Sequence, residues 1–84
     1  MKLSARNVLR GKVVDIVTGT VTSHVRIDIG GGTVITASIT NEAVADLGLT
    51  VGSTAAAVVK ASDVMVGVED WPLSQRYELG AGVD

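Results

Sequence analysis

Two short segments of this 84-residue chain carry the residue types that bind anions. Ser4-Ala5-Arg6-Asn7 stands near the start, and Lys60-Ala61-Ser62-Asp63-Val64-Met65 comes much later. Together they offer a guanidinium, an ammonium, hydroxyls and backbone amides. Arginine brings a rigid fork, lysine a point charge, and hydroxyls and amides bring neutral donors of fixed direction. That set suits a compact oxyanion with only acceptors to present. A protonated phosphate would leave its own donor unsatisfied there, whereas sulfate would have to be rejected by size. On composition alone the same residues also read as a solvated strand edge and a solvated lysine. The two segments can meet only in a fold that brings its first and last strands together, as a small β-barrel does.

Other chemistry finds little support. His24 is the only histidine and there is no cysteine, so no nucleophile–base pair and no metal-ligand spacing emerge. Asp15, Asp28, Asp46 and Asp63 are scattered and read as surface or turn residues. Gly30-Gly31-Gly32 tempts one toward a phosphate loop, but no Gly-Lys-Ser/Thr follows it. A hairpin turn with positive φ accounts for the three glycines. Catalysis is not expected.

The elements that must position the two segments are mostly strands. Gly11 to Thr18 reads as a strand whose Val13, Val14, Ile16 and Val17 imply burial on both faces, and Gly19 as a turn. From Val21 to Ile29 the pattern alternates, with Val21, Ser23, Val25, Ile27 and Ile29 on one face and Thr22, His24, Arg26 and Asp28 on the other. Thr33 to Ile39 is a third strand. Thr40 is placed to cap a short helix from Glu42 to Leu47, closed by Gly48. Val51-Gly52-Ser53 reads as a turn, Thr54 to Val59 as a fourth strand and Asp63 to Val68 as a fifth. Ala55, Ala56 and Ala57 suit close approach of another backbone. The expected fold is mainly β: a five-stranded OB-fold-like barrel with one short helix between strands 3 and 4.

Apolar residues make up 46% of the chain and aromatics only 2%, so the core must be built from Val, Ile, Ala and Leu. A body this small, without disulfides, buries too little surface to be comfortable alone, which points to an obligate oligomer. Lys2, Arg6, Arg10 and Lys12 crowd cations into the first twelve residues, whereas from Glu69 onward four acids face one arginine. No signal-peptide pattern or membrane span of about 20 apolar residues is seen, so a cytoplasmic protein without membrane partners is expected. Two divisions follow: a domain over residues 1–68 and an acidic extension over 69–84. In the extension, Asp70, Pro72 and Gly80 could frame a short helix, with Leu73 and Tyr77 on one face.

The motifs, taken in order, resemble the molbindins, small cytoplasmic molybdate-binding proteins, and the related TOBE domains of molybdate transporters and regulators. Ser4-Ala5-Arg6-Asn7 matches the N-terminal signature, Gly11-Lys12-Val13 the first strand, and Leu47-Gly48-Leu49 with Val51-Gly52 the loop after the helix. Lys60-Ala61-Ser62-Asp63-Val64-Met65 matches the later segment, and four pieces in register over residues 2–68 make the resemblance specific. It implies molybdate as ligand, with tungstate as a further candidate. It also implies a dimer formed by exchange of β-structure, three dimers to a homohexamer, and an anion bound between subunits. Ser4 and Arg6, with the backbone of Ala5, would contact the anion from one chain; Thr40, Lys60 and Ala61 would do so from the partner. Many relatives carry serine where this chain has Ala43, so one hydroxyl is missing. Intracellular storage or homeostasis of molybdenum is the expected role, and a molybdate-sensing regulatory module is the alternative. An OB-fold nucleic-acid binder is disfavoured because residues 1–68 contain no aromatic on which a base could stack.

Overall fold

The computed structural model describes residues 1–69. Four strands, β1 (Asn7–Thr18), β2 (Thr22–Gly30), β3 (Thr33–Thr40) and β4 (Thr54–Val59), form one curled antiparallel sheet of order β3-β2-β1-β4. Helix α1 (Asn41–Leu47) joins β3 to β4, as the sequence predicts, and a 3-10 turn over Ala61–Asp63 follows β4.

β1 is the spine of the fold. Its first half pairs with β4, from Asn7↔Val59 to Lys12↔Thr54, and its second half pairs with β2, from Lys12↔Asp28 to Thr18↔Ser23. The strand begins at Asn7, four residues earlier than the expected Gly11. Gly11 therefore lies inside it, where a Cβ would come within 2.1 Å of the Asp28 carbonyl oxygen. Only glycine lets the two backbones approach this closely.

Two residues on, the register with β2 slips between Val13 and Asp15. Val13 there turns its backbone to the loop before β4, donating to the Ser53 carbonyl (2.9 Å) and accepting from the Gly52 amide (2.7 Å). A bulge of this kind bends a strand and resets which face its side chains take. The expected burial of both faces of β1 is corrected accordingly: Val13 is 1% exposed and Ile16 half-buried, while Val14 and Val17 are exposed.

β2 and β3 make the expected hairpin, and Gly30, Gly31 and Gly32 at its tip all have positive φ. Thr40 caps α1 by accepting from the Ala43 amide (3.0 Å), and Gly48 closes it in the left-handed conformation.

The expected fifth strand over Asp63 to Val68 is not formed. Asp63 belongs to the 3-10 turn, and residues 64–68 pair with no strand among the described residues. Strand composition shows that a segment can pair, not that its own chain offers it an edge. The sheet consequently stays open, with β3 and β4 as its two edges.

Its core is small. Val13, Val25, Ile27 and Ala57 are the buried apolar residues among those described, flanked by partly buried Leu9, Ile16, Ile35, Ile39 and Leu49. Between β3 and β4 runs an open apolar groove of about 550 Å³, lined among others by Ile35, Ala37, Ile39, Leu49 and Ala55. The helix proposed for the acidic extension lies outside the described residues.

Candidate anion-binding site

Pairing of Asn7 with Val59 is what brings the two donor-bearing segments together. Antiparallel pairing carried one step beyond this pair sets Arg6 against Lys60, so the cations leave β1 and β4 at the same end of the sheet. The Asn7 side chain secures this end, donating from Nδ2 to the Val59 carbonyl (3.2 Å). Asn7 is thus the structural member of the Ser-Ala-Arg-Asn tetrapeptide. Ser4, Arg6, Lys60 and Ala61 are exposed and Ala5 is half-buried.

After Lys60 the 3-10 turn closes through two bonds, Asp63 N–H to the Lys60 carbonyl (2.9 Å) and Val64 N–H to the Ala61 carbonyl (3.3 Å). Neither bond uses the amides of Ala61 and Ser62. An ion pair joins Arg26 to Asp15 (2.7 Å), and Asp63, three residues after Lys60, forms none with Lys60 or Arg6. The region therefore holds a fork, an ammonium and the hydroxyls of Ser4 and Ser62, with two amides beside them and the Asp63 carboxylate at the end of the turn. Such a set can hold an acceptor-only anion without an unmatched donor on the ligand's side.

Thr40 is not in this group within one chain. It closes β3 opposite Thr22, at the end of the sheet where β1 finishes, whereas Arg6 and Lys60 flank the end where β1 starts. The contour of a twelve-residue strand, roughly 40 Å, lies between them along β1. Of the six residues singled out, Ser4, Ala5, Arg6, Lys60 and Ala61 are thus gathered at one end, and Thr40 stands at the other.

Around Thr40 the structure adds two residues the sequence reading did not select. Ser23, 1% exposed, bonds through Oγ to Asn41 Oδ1 (2.5 Å), while Asn41 Nδ2 donates to the Gly19 carbonyl (3.0 Å). The Asn41 amide donates to the Val21 carbonyl (2.8 Å). A signal for Ser23 existed: it is the one hydroxyl on the otherwise aliphatic face of β2. Asn41 gave none, because its partners come from a turn twenty residues away.

No group of three His, Cys, Asp or Glu side chains able to hold a metal ion occurs among the described residues. The apolar groove is chemically distinct from the polar end of the sheet and has no charged residue in its lining.

Residues 3–66 match the family model for the TOBE domain. The chain is 55% identical over 69 residues to a probable molybdenum-pterin-binding protein of Haemophilus influenzae, covering 82% of this chain and all of that one. Among solved structures it is similar to the cytoplasmic molybdate-binding protein ModG with molybdate bound. That match has a TM-score of 0.79 and 52% identity, covering 82% of this chain and 49% of that one. It is also similar to a molybdate-binding protein from Sporomusa ovata, with a TM-score of 0.76 and 43% identity, covering 81% of this chain and all of that chain.

Proposed function

The chain belongs to the TOBE domain family, and on that premise we propose that it binds molybdate, and tungstate as a close mimic, for intracellular storage or homeostasis of molybdenum. The observation that carries this reading is the donor set beside the Asn7↔Val59 pair, where Arg6 and Lys60 leave the sheet at the same end and neither is ion-paired to a carboxylate among the described residues, nearby Asp63 included. The ligand is bound and released rather than transformed, and the protein works in the cytoplasm.

The anion sits between protomers. Ser4, Arg6 and Lys60, with the backbone at Ala5 and Ala61, form its cationic side, and Thr40 reaches it from a second copy. Support comes from the separation of Thr40 from the cations along β1, which leaves one chain with an incomplete set.

Self-assembly has support of its own. A sheet with two free edges, an apolar groove and an adjoining segment with Met65 at 93% and Val66 at 91% exposure fits a chain that exchanges β-structure with its partner. We take the assembly to be a dimer that builds a homohexamer as a trimer of dimers. Nucleic acid is not a partner, since residues 1–68 offer no aromatic for stacking.

Native mass spectrometry with and without molybdate counts subunits and anions together. The expected result is a hexamer whose mass rises by whole molybdate units and whose melting temperature rises with it. Equal stabilisation by sulfate would reveal a general ionic effect and overturn the specific site.

A further inference from the structure

We propose that Asn41, held by buried Ser23, is a positioning residue of the anion site and acts through Thr40. This rests on the reading that Thr40 contributes to the site, and it adds how the fold aims that hydroxyl.

Thr40 stands where β3 leaves the sheet, and its Oγ1 accepts the Ala43 amide at 3.0 Å. That bond uses a lone pair and leaves the hydroxyl proton, which no described residue receives. One oxygen can thus cap the helix and donate to an anion at once, provided the backbone on either side is fixed. β3 fixes one side through Thr22↔Thr40 pairing.

Asn41 fixes the other side by three bonds: its amide to the Val21 carbonyl (2.8 Å), Nδ2 to the Gly19 carbonyl (3.0 Å) and Oδ1 to Ser23 Oγ (2.5 Å). All three tie it to β2 and to the turn before it. Ser23 is 1% exposed, so its hydroxyl has no water to fall back on and its bond to Asn41 is costly to lose. The sequence could have placed an aliphatic residue at 23, in line with Val25 and Ile27. A buried hydroxyl there pins the residue next to the ligand-bearing threonine.

The test is a double-mutant cycle in the full chain, with molybdate affinity read by calorimetry and assembly by native mass spectrometry. Asn41→Ala should weaken molybdate binding roughly five- to tenfold, the scale of one lost hydrogen bond at a site. In a Thr40→Val background, which already lacks the hydroxyl, Asn41→Ala should cost nothing more.

Ser23→Ala should follow Asn41→Ala, and Asn41→Asp provides a second variant if either fails to assemble. It keeps the acceptor for Ser23 but loses the Gly19 bond, and should show the same dependence on Thr40. Equal losses in both backgrounds would mean a general structural role and overturn the inference, as would unchanged affinity in Asn41→Ala. If Thr40→Val itself left affinity unchanged, the reading of Thr40 as a ligand would fail first, visibly and separately. Thr40→Asp sharpens that point: it keeps a capping acceptor but has no proton to donate, so binding should fall while thermal stability holds.

Discussion

At the scale of the residue, the proposed site assigns recognition to one cation of each sort, and the two are not interchangeable. Arg6→Ala should weaken molybdate binding by about 2–5 kcal/mol, the scale for removing one partner of a charged hydrogen bond closed off in an interface. Its melting temperature without anion should stay near that of the parent, because Arg6 is exposed and packs on no core residue. Lys60→Ala should behave alike, and Lys60→Arg should recover only part of the loss, since a planar fork does not replace a compact ammonium. Calorimetry giving parental affinity for Arg6→Ala would remove that residue from the site. As candidates these residues stand out in the sequence because their chemistry is local: a donor-rich tetrapeptide announces itself without any knowledge of the fold. The register that sets Arg6 beside Lys60 was not legible. The register Asn7↔Val59 depends on where β1 starts, and Gly11 made that start look four residues later than it is. Asn41 escaped for a related reason, since a hydrogen bond spanning eighteen residues leaves no spacing to recognise, whereas Ser23 stands out only as a hydroxyl on an aliphatic face.

At the scale of the element, β1 decides the shape, and it does so through two irregularities. Gly11 allows the backbone of β2 to pass within what would be Cβ distance, and the Val13–Asp15 bulge then turns the strand. An alternating pattern is the signal that sequence reading relies on, and a bulge inverts it at one residue, which is why Val14 and Val17 looked buried. β2 and β3 slip register only beside their hairpin tip, between Asp28 and Gly30, so pattern, turn glycines and cap mark β2, β3 and α1 almost to the residue. Gly11→Ala should therefore cost about 1–3 kcal/mol of stability, the scale of forcing an atom into packed structure. The Asp28 carbonyl cannot step aside without moving the β1–β2 ladder. Denaturant unfolding with a midpoint equal to that of the parent would show that β1 has more room than its geometry indicates. The segment after the 3-10 turn illustrates the opposite limit. Val64, Val66 and Val68 alternate as a strand should, and all are exposed in the single chain. If this segment pairs on another copy, Val66→Asp places a charge in that interface and should shift native mass spectra from hexamer toward smaller species. A hexamer persisting unchanged in this variant would place the interface elsewhere.

At the scale of the whole molecule, the four buried apolar side chains among the described residues are a thin core for a free-standing domain, and Leu3, Met65, Val66 and Val68 are exposed. Both facts favour the proposed assembly, in which a single chain would be completed by its partners. In the proposed arrangement ligand and assembly would be coupled, because an anion held by cations of one chain and a threonine of another would bind only the associated state. The acidic stretch that begins at Glu69 enters this scheme as a question of what the assembly needs. The family match ends at residue 66, and all six residues assigned to the anion lie before it. Net charge argues in the same direction, since four acids against one arginine in residues 69–84 would repel a dianion if brought to the site. We accordingly expect a chain ending at Val68 to form the same hexamer and to bind molybdate with an affinity close to that of the full chain. Its association rate should be equal or faster at low salt, with the difference fading as salt is raised, because removing acids can only lessen long-range repulsion. Stopped-flow and native mass spectrometry on the two chains would decide the matter. A shortened chain that stays monomeric, or that assembles yet loses molybdate, would make residues 69–84 part of the working assembly and extend the functional domain beyond the family's boundary.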